Sequence, residues 1–280
     1  MDIQMRLRAC AHRWRLEVGD RLDGGFRSDV FACTTSGGGE VVVKLTVTSE
    51  EARSEAAALA AWMDTGAAVE ILDVDLEYDA LLLARIRPGT HLAGGDDPVI
   101  LDMAADLLSR LQLAAPGPFP FLTLEALYPR LEARAREDIN YERRARDEPI
   151  RGEAGLTRLD SARAAAMRLC ATTPQPVLLH GDFLDKNLLC TGSSYLAVDP
   201  IPRIGDPCSD VGMFASDHLP AGTILERAGA IAERMGLDPN RAMRWAAVWT
   251  VLLTCSAWRS DQVELDTAVA SAEFERLLRP

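Results

Sequence analysis

Short apolar runs separated by turn residues dominate the first ninety positions. Arg15 to Gly19, Val30 to Thr34 and Glu40-Val41-Val42-Val43-Lys44-Leu45 each read as a strand, with turns at Asp23–Ser28 and Ser36–Gly39 between them. The third run is β-branched throughout its middle, as a central strand should be. Thr48-Ser49-Glu50-Glu51 places a hydroxyl at a cap position and a glutamate three residues later. That is a capping box, and it predicts a helix running to Met63. Val69 to Val74 and Ala80 to Ile86 read as two further strands around the turn Glu77-Tyr78-Asp79. The expectation for this region is five strands and one helix.

Arg87-Pro88-Gly89 breaks the pattern, and beyond it the apolar spacing becomes helical. Leu101 to Leu113, Leu124 to Arg146 and Leu156 to Cys170 read as helices, with a rigid break at Pro116–Pro120. Val177 to Leu179, Leu188-Leu189 and Leu196-Ala197-Val198 are short strand pieces, and the remaining eighty or so residues are helices punctuated by Pro and Gly. The shift near Pro88 predicts two units, residues 1–87 rich in strands and residues 88–280 mainly helical.

Composition narrows the class. The chain has 280 residues, 48% apolar and 26% charged, enough to bury a core and far from a disordered or fibrous profile. Aromatics make up 6%, too few for a nucleic-acid stacking platform, and the net charge of −12 opposes phosphate-backbone binding. The acidity suits a cationic partner or serves solubility alone. Six scattered cysteines without CxxC spacing read as small buried hydrophobes in a reducing compartment. With no apolar signal core at the N-terminus and no membrane-length run, the expectation is a soluble, cytoplasmic protein without membrane or nucleic-acid partners. Of 30 basic residues, Lys44 and Lys186 are the lysines and the rest are arginine.

The chemistry concentrates in Leu179-His180-Gly181-Asp182-Phe183-Leu184-Asp185-Lys186-Asn187-Leu188-Leu189. A strand delivers His-Gly-Asp into a loop, an asparagine follows five residues after the aspartate, and a further strand ends at Asp199-Pro200. This order fits phosphoryl transfer, in which one carboxylate takes the acceptor proton while an amide oxygen and a second carboxylate hold a hard cation on phosphates. Asp182 is the predicted base, and Asn187 and Asp199 the predicted metal ligands. The plain alternatives are an Asx turn at Asp182 and a strand-end turn at Asp199. Asp185 and Lys186 lie inside the loop, where they touch substrate or phosphate or are simply solvated charges. In Ile204-Gly205-Asp206-Pro207-Cys208-Ser209-Asp210-Val211, a Gly-Asp-Pro turn starts a helix with Asp210 in its first turn, and Asp206 reads as structural, capping that helix or bracing the catalytic loop.

HGDFLDKN, then VDP, then GDPCSDV resembles the aminoglycoside phosphotransferase family. GPFPFLTLEALYPRLEARA and RWAAVWTVLLTCSAWRSDQ are similar to the branch holding streptomycin 6-phosphotransferases and hydroxyurea phosphotransferases. The resemblance implies an α+β fold of protein-kinase-like, two-lobed form, with ATP and Mg2+ as cofactors and a small-molecule cationic antibiotic as acceptor. It places Asp182, Asn187 and Asp199 at the family's catalytic and metal positions. The Phe183-Leu184-Asp185-Lys186 stretch departs from the family's more usual loop. The small lobe must then cover a nucleotide. Lys44 would reach the phosphates, Glu55 would pair with it, and Gly24-Gly25-Phe26-Arg27-Ser28 would form a flap in which the Ser28 hydroxyl faces phosphate. Ala84 and Ile86, on the family's lobe connector, would offer backbone groups to adenine.

For the acceptor, Asp185, Asp217, Asp261 and Glu264 are the candidate acids for a cationic pocket. A streptomycin-type aminoglycoside leads, with a cationic cyclic peptide of the capreomycin or viomycin kind, hydroxyurea or a metabolite as alternatives. A catalytically silent kinase-like binding module is the reading from another class, and the intact set of Lys44, Asp182, Asn187 and Asp199 speaks against it. His12, His91 and His218 lack ligand spacing. His180 is expected to brace the catalytic turn by hydrogen bonds. Trp245, Trp249 and Trp258 are expected in the core or a pocket wall.

Overall fold

The structure is a computed structural model that describes residues 2–22, 28–92, 98–113, 115–145, 152–217, 224–255, 268–269 and 271–279. It opens with a helix that the apolar pattern does not announce, α1 (Ile3–Trp14). Among the described residues of the first ninety there are therefore two α-helices rather than one. Five antiparallel strands follow, β1 (Leu16–Leu22), β2 (Ser28–Thr35), β3 (Glu40–Thr46), β4 (Ile71–Asp75) and β5 (Ala80–Ala84), in the order β1-β2-β3-β5-β4. Helix α2 (Ser49–Ala61) lies between β3 and β4 and begins with the expected capping box, Thr48 and Glu51 each accepting the other's backbone N–H at 3.2 Å.

Strand β3 is central, and its side chains alternate between two cores. Val41, Val43 and Leu45 pack outward with Phe31, Leu82 and the α1 residues Leu7 and Cys10. Val42 faces the main core, and so therefore does Lys44, two residues on. Arg6 of α1 ties the end of this strand down by donating to the carbonyls of Tyr78 at 2.8 Å and Thr46 at 2.7 Å.

The rest is helical apart from short hairpins. Helices α3 (Pro98–Leu113), α4 (Leu124–Ala145), α5 (Gly152–Ala171), α6 (Cys208–Asp217), α7 (Ile224–Arg234), α8 (Pro239–Cys255) and α9 (Ala272–Leu278) surround β6 (Val177–Leu179), β7 (Leu188–Cys190), β8 (Tyr195–Ala197) and β9 (Arg203–Gly205). β6 pairs antiparallel with β9, and β7 with β8. Strand β9 is an addition to the sequence reading, which assigned no strand to this stretch. The two parts are stitched where Val69 donates to the Ala197 carbonyl at 3.0 Å and Gly89 to that of Cys190 at 3.0 Å. In the helical part α6 and α8 cross closely at Gly212, where a Cβ would stand 2.5 Å from the Ala246 nitrogen. All six cysteines are free, four of them buried. Among the described residues no helix is long and apolar enough to cross a membrane.

Candidate active site

The catalytic turn leaves β6 at Leu179, whose partner on β9 is Arg203. The chain then reverses through Gly181, with φ +74°. A side chain there is excluded on two grounds: the backbone is left-handed, and a Cβ would lie 2.0 Å from the Ile201 carbonyl oxygen. The turn is fastened from below by Asp210, whose carboxylate accepts the N–H of His180 at 2.7 Å and of Gly181 at 3.0 Å. Asp210 is fully buried, and burial pushes its carboxyl up to about 6 against the pull of those two donors. The sequence reading noted its helical position but not its target. An aspartate in a first turn caps its own helix as readily as it reaches a loop thirty residues earlier.

His180 braces the turn. Its main chain is hydrogen-bonded on both sides, its N–H to Asp210 and its carbonyl to the Ile201 N–H at 2.9 Å. The ring stacks on Trp62, centroids 6.0 Å apart, and meets the edge of Phe183. Burial pushes its imidazole down to about 4 against the pull of Asp199 and of the backbone at Val198 and Asp182, so it is neutral at pH 7.

Asp182 follows, and Asn187 locks it. The amide Nδ2 donates to the Asp182 carbonyl at 2.8 Å and to Oδ2 at 2.7 Å. The same two bonds fix the asparagine and occupy its Nδ2, so Oδ1 is the side-chain atom that can serve as a ligand. Val198 donates to the Asn187 carbonyl at 2.9 Å, which brings Asp199 beside it. Asp199 has φ +57°, a strained conformation for a residue with a side chain and one that concentrates at functional sites.

From above comes the lysine. Lys44 stands opposite Val30 and Leu81 in the sheet and projects into the protein, with 5% of its surface exposed. Its Nζ lies 2.6 Å from both carboxylate oxygens of Glu55 and 2.7 Å from Asp199 Oδ1. Burial works against the ammonium, but these two carboxylates outweigh it and hold the lysine protonated. Asp199 is held below the usual carboxylate range, because Lys44, with smaller help from Lys186, overcomes the effect of burial. Glu50 and Glu51 stay in the first turn of α2, and Glu55 alone among the three meets Lys44.

The donor set fits a hard cation. Asn187 Oδ1 and the second oxygen of Asp199 are two protein oxygens beside a carboxylate base, and such a cation completes its shell with phosphates and water. Among the described residues no cluster of three His, Cys, Asp or Glu side chains could hold a metal without that help.

The acceptor candidates are less uniform. Asp185 and Asp217 come together, the Asp185 N–H donating to Asp217 Oδ2 at 3.3 Å, so Asp217 supports the catalytic loop. Asp261 and Glu264 lie outside the described residues, as do His218, Trp258 and the flap residues Gly24, Gly25, Phe26 and Arg27. Ser28 opens β2 opposite Thr46. On the connector, Ala84 spends its N–H on the Glu70 carbonyl at 3.0 Å, leaving its carbonyl as the group it can offer, and Ile86 is buried. A cavity of about 550 Å³ touches both. Its lining also includes Met63, Gly66 and Glu70 but neither Lys44 nor Asp199. Asp206 is structural, as expected: it caps α6 through the Cys208 N–H at 3.1 Å and accepts from Arg241 at 2.5 Å and Trp245 at 2.6 Å.

A five-stranded sheet with a buried Lys–Glu pair, set over a His-Gly-Asp loop and a strand-end aspartate, defines a kinase-like phosphotransferase. The chain belongs to the aminoglycoside/hydroxyurea antibiotic resistance kinase family, whose sequence profile matches residues 13–262. A hydroxyurea phosphotransferase of Kitasatospora aureofaciens is 31% identical over 83% of this chain and 66% of its own length, so the chain spans just under two thirds of that relative. A streptomycin 6-kinase of Streptomyces griseus is 27% identical over 97% of this chain and 88% of its own. Among solved structures, a choline/ethanolamine kinase family protein from Mesorhizobium loti superposes with a TM-score of 0.69 at 18% identity, covering 98% of this chain and 97% of the other. The ADP-bound aminoglycoside phosphotransferase APH(2'')-Ib does so with 0.57 at 14% identity, covering 100% and 97%.

Proposed function

We propose that this protein is an ATP-dependent O-phosphotransferase that inactivates a small cationic antibiotic, with a streptomycin-type aminoglycoside as the leading acceptor. The observation that carries the reading is the convergence of Asp182, locked by Asn187, with Asp199, locked by Lys44 and Glu55. In the proposed step the acceptor hydroxyl gives its proton to the Asp182 carboxylate as its oxygen bonds to the γ-phosphorus. The bond from that phosphorus to the β,γ-bridging oxygen breaks, and ADP leaves with the electron pair. Asn187 keeps the base in one rotamer, so little reorganisation is needed at the moment of transfer. Lys44 offsets phosphate charge from the buried side. Mg2+, held by Asn187 and Asp199, would supply further neutralisation of the phosphates.

Family membership favours cationic aminoglycosides and, as a second acceptor class, hydroxyurea, which the relative at 31% identity is named for. Asp185, in the loop of the base, and Asp217, whose carboxylate accepts the Asp185 N–H, support the cationic choice, since acids at this loop lower the energy of an approaching ammonium or guanidinium. The test is incubation with ATP, Mg2+ and either streptomycin or hydroxyurea, followed by mass spectrometry. The expected product is streptomycin carrying one added phosphoryl group. Modification of hydroxyurea alone would reverse the order of acceptors, and ATP left intact with both would overturn the reading.

A further inference from the structure

Both lysines of a chain that otherwise uses arginine end at carboxylates of the site, Lys44 at Asp199 and Lys186 at Asp182. Lys44 reaches Asp199 from the buried side. Lys186, on the one-turn 3₁₀ segment Asp185–Asn187, places its Nζ 3.2 Å from Asp182 Oδ2, and its charge also acts on Asp199. Its side chain is 57% exposed against 20% for that of Asp182, so the ammonium approaches from the open side of the site. Its backbone is fixed, the carbonyl lying 2.5 Å from His91 Nδ1.

This pair has no evident structural purpose. An exposed ion pair contributes about 0–1 kcal/mol at most. The turn is already held by Asp210, Asn187 and His91. The ammonium also rests on Oδ2, an oxygen of the carboxylate that must take the acceptor proton, which is a cost unless the cation is needed elsewhere during the reaction. When the acceptor hydroxyl engages Asp182, the ammonium has a flexible stem and three donors with which to turn toward the incoming phosphoryl oxygens, a motion for which the planar guanidinium of arginine is less suited.

We propose that Lys186 is a catalytic residue that binds the transferred phosphoryl group from the open side, opposite Lys44. The proposal rests on the phosphotransferase reading. As the bond to the bridging oxygen breaks and that to the acceptor oxygen forms, charge spreads over the three equatorial oxygens, and a positioned cation there lowers the barrier. The proton still goes to Asp182, and the lysine stays protonated throughout.

The test compares the affinity of the parent and of Lys186→Met for ADP and for AMP-PNP, each with Mg2+, by calorimetry. Loss of a cation that meets the γ-phosphoryl should weaken AMP-PNP by about 10-fold or more and leave ADP within about 2-fold. The turnover number should fall by about 10²–10³-fold. Lys186→Arg should regain part of the AMP-PNP affinity, and unchanged melting temperatures would show that both variants are folded. Equal AMP-PNP affinity in parent and Lys186→Met overturns the proposal even if turnover falls, because Lys186 would then act on Asp182 alone. A parent that binds neither nucleotide overturns the phosphotransferase reading and this proposal with it, and the ADP arm separates that outcome from the first.

Discussion

The Asp210 carboxylate lies 3.0 Å from the backbone nitrogen of Gly181, one residue ahead of the proposed base. Its other oxygen takes the N–H of His180. Two buried titratable groups thus meet at one turn, with opposite responses to pH. Burial raises Asp210 to about 6 and lowers His180 to about 4.

The signs predict a specific cancellation. As pH falls from about 6.5 to 4, the unfolded histidine takes up a proton while folded His180 does not, so stability is lost. Over nearly the same window folded Asp210 takes up a proton while the unfolded carboxylate does not, so stability is gained. Asp210→Asn removes the gain. Its stability relative to the parent should therefore drop by about 3 kcal/mol between pH 6.5 and 4, as measured by urea unfolding. Parallel curves for parent and variant would show that Asp210 does not hold a raised pKa.

Asp210→Asn should also change the rate profile. An ionised carboxylate accepts both N–H groups, whereas an amide can accept with one atom only. The acid limb of kcat near pH 6 should disappear, with kcat at pH 7.5 lowered about 10-fold or more by the loosened turn. A variant that keeps the parent's acid limb assigns that limb to another group.

Gly181→Ala should be among the most damaging small changes in the chain. The left-handed backbone and the 2.0 Å approach to the Ile201 carbonyl act together. The expected loss is about 3 kcal/mol or more, with activity falling further as the turn shifts. Near-parental stability in thermal or urea unfolding would mean that the turn relaxes at little cost.

Asp182→Asn should keep shape and the Asn187 contact while losing basicity. Turnover should fall by about 10²–10⁴-fold, with ADP affinity nearly unchanged. Full turnover would remove Asp182 from the role of base.

Lys44→Arg retains charge but not fit. A guanidinium does not place one nitrogen within 2.7 Å of both Glu55 and Asp199 in a buried space of this size. Stability should drop by about 1–3 kcal/mol and the KM for ATP should rise. Parental kinetics would show that the ammonium is not read by the phosphates.

Much of this site was legible in the chain because its parts are short and ordered. The capping box fixes the start of α2, and helical spacing then puts Glu55 on the face that meets β3. Strand alternation puts Lys44 on the side of Val42. Asp210 was not legible in the same way, since its partners are main-chain groups that carry no sequence signal. Strand β9 is three residues long and has no period to detect. Helix α1 hid for another reason: Leu7, Cys10 and Trp14 do recur at helical spacing, but four arginines and one histidine crowd the same stretch through Arg15. Those cations look like a solvated tail until Arg6 is seen on the carbonyls of Thr46 and Tyr78, and Arg13 on Asp75 at 3.0 Å.

That helix has a practical consequence. The family match begins at residue 13 and leaves nearly all of α1 outside. A protein begun at the start of the match would retain every side chain assigned to the chemistry, yet Phe31, Val41, Val43 and Leu82 would lose their cover and the Lys44 strand its anchor at Arg6. Such a fragment should come out of expression sticky and poorly soluble, and an assay on it would report a dead enzyme for reasons unrelated to catalysis.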